Sequence, residues 1–186
     1  MRNTSFLVRS RNLLARAIAP AAAALVLGLS AAPAVRAQKV SVEFDQSVDF
    51  AKYKTFAVRD GQMNAKSPAL NSELTKKNLQ TQIEQALIGR GLALVSGPSD
   101  LNVLFQFGAA RRVETESYPA GWRGLGTRVA RVPYSEGTLV IDLRDPATRS
   151  LVWRGIASES ESNPTKIASK LDDMAKKAIA KYPPKK

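Results

Sequence analysis

Apolar and polar residues alternate along several stretches of this chain, and the alternation predicts strands. In the clearest case every second residue from Leu101 to Phe107 is apolar. A period of two residues is typical of a strand with one buried face. Shorter runs of the same kind predict five more strands, at residues 40–44, 55–58, 92–95, 138–143 and 151–157.

A first helix is indicated by Leu79, Ile83 and Leu87, which recur at helical spacing between polar residues. Its N-terminal cap is expected at Asn71 or at the dipeptide Ser67-Pro68, because Asn, Ser and Pro suit the start of a helix. Gly91 is typical of a helix end.

A second helix is predicted close to the C-terminus. Asn163 can cap its first turn, Pro164 fits the first helical position, and Pro183 with Pro184 cannot continue a helix. Lysines occupy much of the remaining surface. The apolar stripe of this helix consists of Ile167, Leu171, Met174, Ala178 and Tyr182.

The predicted elements follow the order ββαββββα, which indicates an α+β fold. We expect a mostly antiparallel sheet of about six strands with two helices packed on one face. Residues 145–148, Asp-Pro-Ala-Thr, suit a tight turn, so the strands on either side should form an antiparallel hairpin. The polar residues 59–67 are predicted to form a loop.

The N-terminal segment has the pattern of a secretory signal peptide. Residues 1–37 contain five arginines and no acid, followed by an apolar run and by Val35 and Ala37, the compact residues that a signal peptidase accepts. An uncleaved membrane anchor is the alternative, but Pro20 interrupts a run shorter than the roughly 20 residues that span a bilayer. We therefore expect cleavage near Ala37 and a single periplasmic or secreted domain at 38–186, without a transmembrane span.

Composition narrows the chemistry further. The formal charge is +12 and falls to +7 without residues 1–37, which favours contact with anionic surfaces. Nucleic acid is not an expected partner, because no spacing of an RNA-binding or zinc-finger module is present. The sequence has no His and no Cys, so the usual zinc ligands, thiol nucleophiles and imidazole bases are missing. No catalytic residue, cofactor or metal site is predicted.

The most unusual segment is residues 111–134, predicted as a long loop between two strands. Long loops without structure of their own are often functional or disordered. Arginines interleaved with aromatic rings suit anions and flat groups, so a ligand- or partner-binding loop is one interpretation. A solvated hairpin extension without a ligand is the other. The candidate binding residues are Arg111, Arg112, Tyr118, Trp122, Arg123, Arg128, Arg131 and Tyr134.

Two acids near the predicted turn have a structural interpretation. Asp142 and Asp145 flank the turn after a strand, and we expect them to cap the turn and to form cross-strand ion pairs. Trp153 should lie in the core. Arg154 should point to the opposite face and pair with an acid on a neighbouring strand.

Four segments of the chain match a known pattern: residues 49–56 (DFAKYKTF), 137–145 (GTLVIDLRD), 151–155 (LVWRG) and 182–184 (YPP). They resemble the DUF4136 family, over roughly residues 40–184. The resemblance implies an exported bacterial envelope protein with a compact α+β domain of unassigned function and without catalytic residues to transfer. Many relatives resemble lipoproteins acylated on a Cys after the signal peptide. This chain has no Cys, so a lipid anchor is not expected.

The function predicted from these features is non-catalytic. We expect an envelope protein that binds a protein partner or an anionic envelope component through residues 111–134. A structural or stress-related periplasmic module without a ligand is the alternative. A glycan hydrolase that uses two carboxylates is a third hypothesis, and it requires two acids facing each other across a cleft.

Overall fold

The structure is a computed structural model, and it describes residues 38–120 and 126–185. Six strands form one sheet in the order β1-β6-β5-β4-β2-β3. The strands are β1 (Lys39–Phe44), β2 (Thr55–Ala65), β3 (Ala93–Leu94), β4 (Leu101–Ala120), β5 (Gly126–Arg144) and β6 (Leu151–Glu161).

Three α-helices accompany the sheet: α1 (Glu73–Ile88), α2 (Pro164–Ala168) and α3 (Leu171–Ile179). The α1 helix begins after Ser72, whose hydroxyl accepts a hydrogen bond from the Thr75 amide. The predicted caps at Asn71 and at the Ser-Pro dipeptide are therefore wrong by one to a few residues. Asn163 does cap α2, since its side chain accepts a hydrogen bond from the Thr165 amide.

The sheet is mixed, so the prediction of a mostly antiparallel sheet is wrong. The pairs β1–β6, β6–β5 and β5–β4 are antiparallel, including the hairpin predicted around residues 145–148. By contrast, β2 runs parallel to both β3 and β4. The reason is connectivity: α1 carries the chain between β2 and β3, and a helical crossover allows parallel pairing.

Two stretches predicted as loops are strands. β2 continues through most of the predicted loop 59–67 as far as Ala65, with a register irregularity between Val58 and Asp60. The predicted loop 111–134 also contains strand residues, because β4 extends to Ala120 and β5 starts at Gly126. In both places backbone pairing with a neighbouring strand overrides the polar local composition.

The predicted C-terminal helix is divided into α2 and α3. The Ser169 hydroxyl donates to the Lys166 carbonyl, and the Lys170 amide donates to the Ile167 carbonyl. These bonds replace the regular i to i−4 pattern and separate the two helices. The prediction that two helices pack on one face is not confirmed. The described residues contain three α-helices. The α1 helix packs against β2, β3 and α3, and the other two pack against β5 and β6.

Aromatic residues concentrate at one part of the core. Trp153 is fully buried, and its ring meets that of Tyr182 edge-on at 5.8 Å. Phe50 meets Tyr182 in the same way, also at 5.8 Å. Trp153 lies in the core as predicted. Its ring also covers the strand backbone two residues away, at Gly155.

We expect Gly155→Ala to destabilise the protein. A Cβ at this position would lie 2.4 Å from the Trp153 Cη2 atom, so the indole has to move in a close-packed core. The expected loss is about 1–3 kcal/mol in the free energy of unfolding, measured by urea titration with tryptophan fluorescence. Gly97→Ala is the matched control, because nothing lies within 4 Å of its Cβ position. Equal stability of the two variants would contradict the packing described here.

Candidate binding arm and its clefts

A two-stranded ribbon extends from the sheet where the neighbouring strands end. The pairing of β4 with β2 ends at Ala109 and Ala65, and the pairing of β5 with β6 ends at Ser135 and Glu161. Beyond these pairs β4 and β5 pair only with each other among the described strands. We call residues 112–120 and 126–134 the arm.

The arm is long for a segment without flanking strands. Nine successive residue pairs, from Arg112–Tyr134 to Ala120–Gly126, continue in an unbroken antiparallel register. At about 3.3 Å per residue the ribbon is roughly 26 Å long. The segment therefore has regular structure along most of its length, although the sequence predicted a loop.

Strand alternation distributes the predicted binding residues over both faces of the ribbon. Arg111 and Arg131 are odd-numbered, as are the core residues of β4 and β5, and so they share the core side of the sheet. Arg112, Arg128 and Tyr134 belong to the opposite face. Tyr118 pairs with Arg128 in the register, and Trp122 and Arg123 lie outside the described residues.

The core-side face of the arm carries exposed apolar residues. Val113 and Val129 keep 61% and 60% of their surface exposed. They continue the alternation that buries Phe107 and Leu139 nearer the helices. The arm thus continues the core face of the sheet with two exposed valines, at a place where the described residues do not cover it.

Of the described arginines at the arm and its root only Arg112 forms an ion pair, since Arg128 on the opposite face forms none with a described residue. On the opposite face the Arg112 Nε atom lies 3.1 Å from Glu136 Oε2, so its charge is compensated. On the core-side face Arg111 and Arg131 are exposed, and neither forms an ion pair with another residue of the described ranges. The core-side face therefore carries two arginines without an ion pair, and Glu161 of β6 lies in the same row as Arg111 and Ser135.

Two clefts lie at the root of the arm, on either side of Arg111. The first, which we call the Lys66 cleft, has a volume of about 200 Å³. The second, the Ser162 cleft, has a volume of about 170 Å³ and shares Arg111 and Ser135 with the first. The Lys66 cleft is lined by Lys66, Ser67, Leu70, Ala109, Ala110, Arg111 and Ser135, and the Ser162 cleft by Arg111, Pro133, Tyr134, Ser135 and Ser162.

The Lys66 cleft combines a cationic rim with an apolar wall. Lys66 and Arg111 are exposed, whereas Leu70 is fully buried and belongs to the core. Ser135 is only 9% exposed, yet its hydroxyl makes no hydrogen bond within the described part of the chain. The hydroxyl is therefore open to donate to, or accept from, an occupant of the cleft that Ser135 lines.

A separate polar cluster forms around the turn after β5. The Asp145 carboxylate accepts hydrogen bonds from the Tyr53 hydroxyl at 3.0 Å and from Lys52 Nζ at 3.3 Å. It also accepts from the amides of Ala147 and Thr148, which confirms the predicted turn cap. Burial opposes ionisation of this carboxylate, but these four donors outweigh it, so the pKa of Asp145 is lowered.

Asp100 lies in the same cleft as Asp145, which has a volume of about 270 Å³. Asp100 accepts hydrogen bonds from the amides of Lys54 and Thr55 and from the Thr55 hydroxyl, all at 2.9 Å, and these bonds lower its pKa. A general acid for glycoside cleavage needs a raised pKa. Both carboxylates instead serve as strong acceptors that connect β2 to the turns beside it.

The predicted cross-strand ion pair is present on the other face of the sheet. Arg154 donates from Nε and Nη2 to the two carboxylate oxygens of Asp142, at 2.7 and 2.8 Å. This forked geometry raises the pKa of Arg154, with a smaller contribution from Glu43. Glu159 is buried in β6, and burial raises its pKa.

Neither a metal-binding group nor a membrane-spanning helix is found within residues 38–120 and 126–185. Their His, Cys, Asp and Glu side chains form no group of three that could hold a metal ion. No helix in this part of the chain is long and apolar enough to span a bilayer.

Sequence reasoning missed most residues of the root clefts. Lys66 was placed at the end of a loop and Ser135 in a gap between a loop and a strand. The core-like alternation of β5 could have identified Ser135, because it shares the parity of Leu139 and Ile141. No local signal places Lys66 beside Arg111, since that proximity follows from the parallel pairing of β2 with β4.

The fold and the arm define a mixed α+β sheet domain with an extended central hairpin. The family model described as a domain of unknown function, DUF4136, matches residues 40–184. The chain therefore belongs to the DUF4136 family, as the sequence segments indicated. No curated protein matches it.

Solved structures resemble the fold at low sequence identity. A PDZ domain protein from Parabacteroides distasonis is 16% identical with a TM-score of 0.55, over 80% of this chain and 37% of that chain. A DUF4136 family protein from Bacteroides thetaiotaomicron is 13% identical with a TM-score of 0.47, over 78% and 96%. The PelC dodecamer protein from Paraburkholderia phytofirmans is 11% identical with a TM-score of 0.46, over 77% and 96%. The chain spans little more than a third of the length of the Parabacteroides protein, and these likenesses concern the fold alone.

We expect Asp145→Asn to destabilise the protein at neutral pH by about 1–3 kcal/mol, because an amide presents hydrogens to Tyr53 and Lys52 and loses the charge. The folded-state pKa of Asp145 lies below the ordinary 3.8, so its stabilising contribution is complete above that value and disappears as the pH falls through the folded pKa. Urea unfolding between pH 7 and pH 2 should show the two proteins converge in acid.

Asp60→Asn is the control for this measurement. Asp60 is an exposed carboxylate with a 3.3 Å hydrogen bond from Gln62, so its loss should change little at any pH. A constant penalty for Asp145→Asn across the whole range would show that the charge of Asp145 is unimportant.

Proposed function

We propose that this DUF4136 protein is an exported, non-catalytic binding protein of the bacterial envelope, which contacts a protein partner through the arm. The observation that carries the proposal is the arm itself. Nine residue pairs extend beyond the flanking strands and present Arg131, which has no ion pair with a described residue, on the same face as the exposed valines. Such a ribbon adds little to its own core, and this favours a role in contacts with another molecule.

A protein suits the arm better than an anionic polymer does. Among the described strands none lies beside either edge of the arm, so another polypeptide can pair with the backbone there. Val113 and Val129 offer apolar area that a polyanion does not need. An anionic envelope component remains the alternative ligand, supported by the arginines alone.

The root clefts favour binding over a structural module without a ligand. A flat, filled surface near residues 111–134 would suit such a module, whereas clefts of about 200 and 170 Å³ adjoin the arm. Concave sites with a few polar groups and an apolar wall are typical of binding sites.

The non-catalytic part of the proposal rests on side-chain chemistry. The whole sequence lacks His and Cys. The acids that share a cleft, Asp100 and Asp145, both have lowered pKa values and several hydrogen-bond donors. A carboxylate-based glycan hydrolase is therefore poorly supported, because neither acid is prepared to donate a proton at neutral pH.

Photo-crosslinking in living cells tests the arm. With benzoylphenylalanine in place of Val129, we expect a discrete adduct with one protein, because this exposed position lies on the face that we assign to the partner. Leu74 on α1 is the matched control, since it is an apolar residue with 70% of its surface exposed and is far from the arm in the sequence. Adducts from both positions, or from neither in a folded and abundant protein, would contradict the assignment.

Export is tested independently of the arm. We expect the protein purified from cells that express the full-length sequence to begin at Gln38, because Val35 and Ala37 fit the −3 and −1 positions of a signal peptidase site. Intact-mass spectrometry of the periplasmic fraction measures this directly. Recovery of an uncleaved chain from the membrane fraction would favour the anchor instead, and Ala37→Arg should block cleavage in the expected case.

A further inference from the structure

We propose that the Lys66 cleft and the adjoining free edge of β4 bind an extended acidic segment of the partner protein, in which acidic and apolar residues occupy alternate positions. The segment adds as a strand beside β4, with one carboxylate between Lys66 and Arg111. This peptide site rests on the proposed function of the arm, since it specifies where and how the arm holds its partner.

The free edge of β4 begins at the cleft. β2 runs parallel to β4 as far as Ala65, opposite Ala109, and the chain then turns away through Lys66 and Ser67. An added strand would therefore continue the line of β2 along the arm. Pairing at about 4.8 Å from β4 would satisfy the backbone groups that β2 leaves without a partner.

The side chains along the core-side face determine which peptide fits. Arg111 occupies the first row of this face, Val113 the second and Thr115 the third, where Arg131 lies opposite on β5. Next to the free edge the rows are thus cationic at Arg111, apolar at Val113 and again cationic through Arg131, while Glu161 of β6 ends the first row beyond Ser135. Residues i, i+2 and i+4 of an added strand face the same side, so an acidic–apolar–acidic series in the peptide would meet complementary rows.

The cleft itself favours a carboxylate. The guanidinium of Arg111 and the ammonium of Lys66 border it, and neither forms an ion pair with another residue that the structure describes. Ser135 is nine-tenths buried at the same place, and its hydroxyl has no protein partner there. Two cations and a free hydroxyl donor are suited to a carboxylate, with Leu70 and Ala109 against its methylene groups.

Fluorescence anisotropy with a defined probe tests the site. The probe is a fluorescein-labelled peptide, acetylated and amidated, with the sequence Asp-Thr-Val-Thr-Asp-Thr-Val, and the matched peptide has Asn in place of both Asp residues. With protein expressed from the full-length sequence, we expect the Asp peptide to bind at least tenfold more tightly. Equal affinity for the two peptides, or no binding of either, would overturn the proposal.

Variants separate the site from general attraction to a basic protein. Lys66→Gln and Arg111→Gln should each weaken binding of the Asp peptide about tenfold. Lys181→Gln removes the same charge from an exposed residue after α3, outside the arm and its clefts, and should leave the affinity unchanged within twofold. A similar loss in all three variants would show non-specific electrostatics and overturn the site. All three residues are exposed, and circular dichroism checks that each variant is folded.

Two further outcomes distinguish this site from its alternatives. If the Val129 crosslink persists in the double variant Lys66→Gln/Arg111→Gln, the arm binds its partner elsewhere and only the peptide site fails. If no Val129 adduct forms in the unaltered protein, the proposed function fails as well. Binding to phosphatidylglycerol vesicles that depends on Arg111, without binding of the Asp peptide, would assign the clefts to a lipid surface and overturn the peptide site.

Discussion

The pairing of β4 with β5 is the constraint on which the other elements depend. These two strands occupy the centre of the sheet, and their register is continuous over nineteen residue pairs from Asn102–Arg144 to Ala120–Gly126. At the inner end they carry the core face against which the helices pack. At the outer end β4 and β5 extend beyond the ends of their described neighbours, β2 and β6. One continuous hairpin therefore creates both the core and the arm, and its register fixes which residues of the arm share a face.

Burial changes along this hairpin without a change in the alternation. Phe107 and Leu139 have no exposed surface, whereas Val113 and Val129 on the same face are more than half exposed. Exposed apolar surface that continues a core face is costly in water. Its presence beside uncompensated arginines is the physical basis for assigning the arm to contacts with another protein.

Several charged groups elsewhere in the domain have partners and serve the fold. Asp145 accepts four hydrogen bonds, and Asp142 is held by the fork of Arg154. Asp100 ties the start of β2 to the loop before β4. Arg111 and Arg131 differ in that they are exposed and form no ion pair with a described residue, so they contribute no such contact to the fold. Their charges are therefore available to another molecule.

The sequence by itself determined the strongly periodic elements, the turn at 145–148, the buried Trp153 and the pairing of Arg154 with an acid, because each depends on residues close in the chain. It also carried the family resemblance. Only the tertiary structure decided that residues 111–134 contain paired strands, that β2 is parallel to β4, and that Lys66 lies in one cleft with Ser135. Strand pairing over long sequence separation has no local signal, since the hydrogen bonds that stabilise it come from another part of the chain.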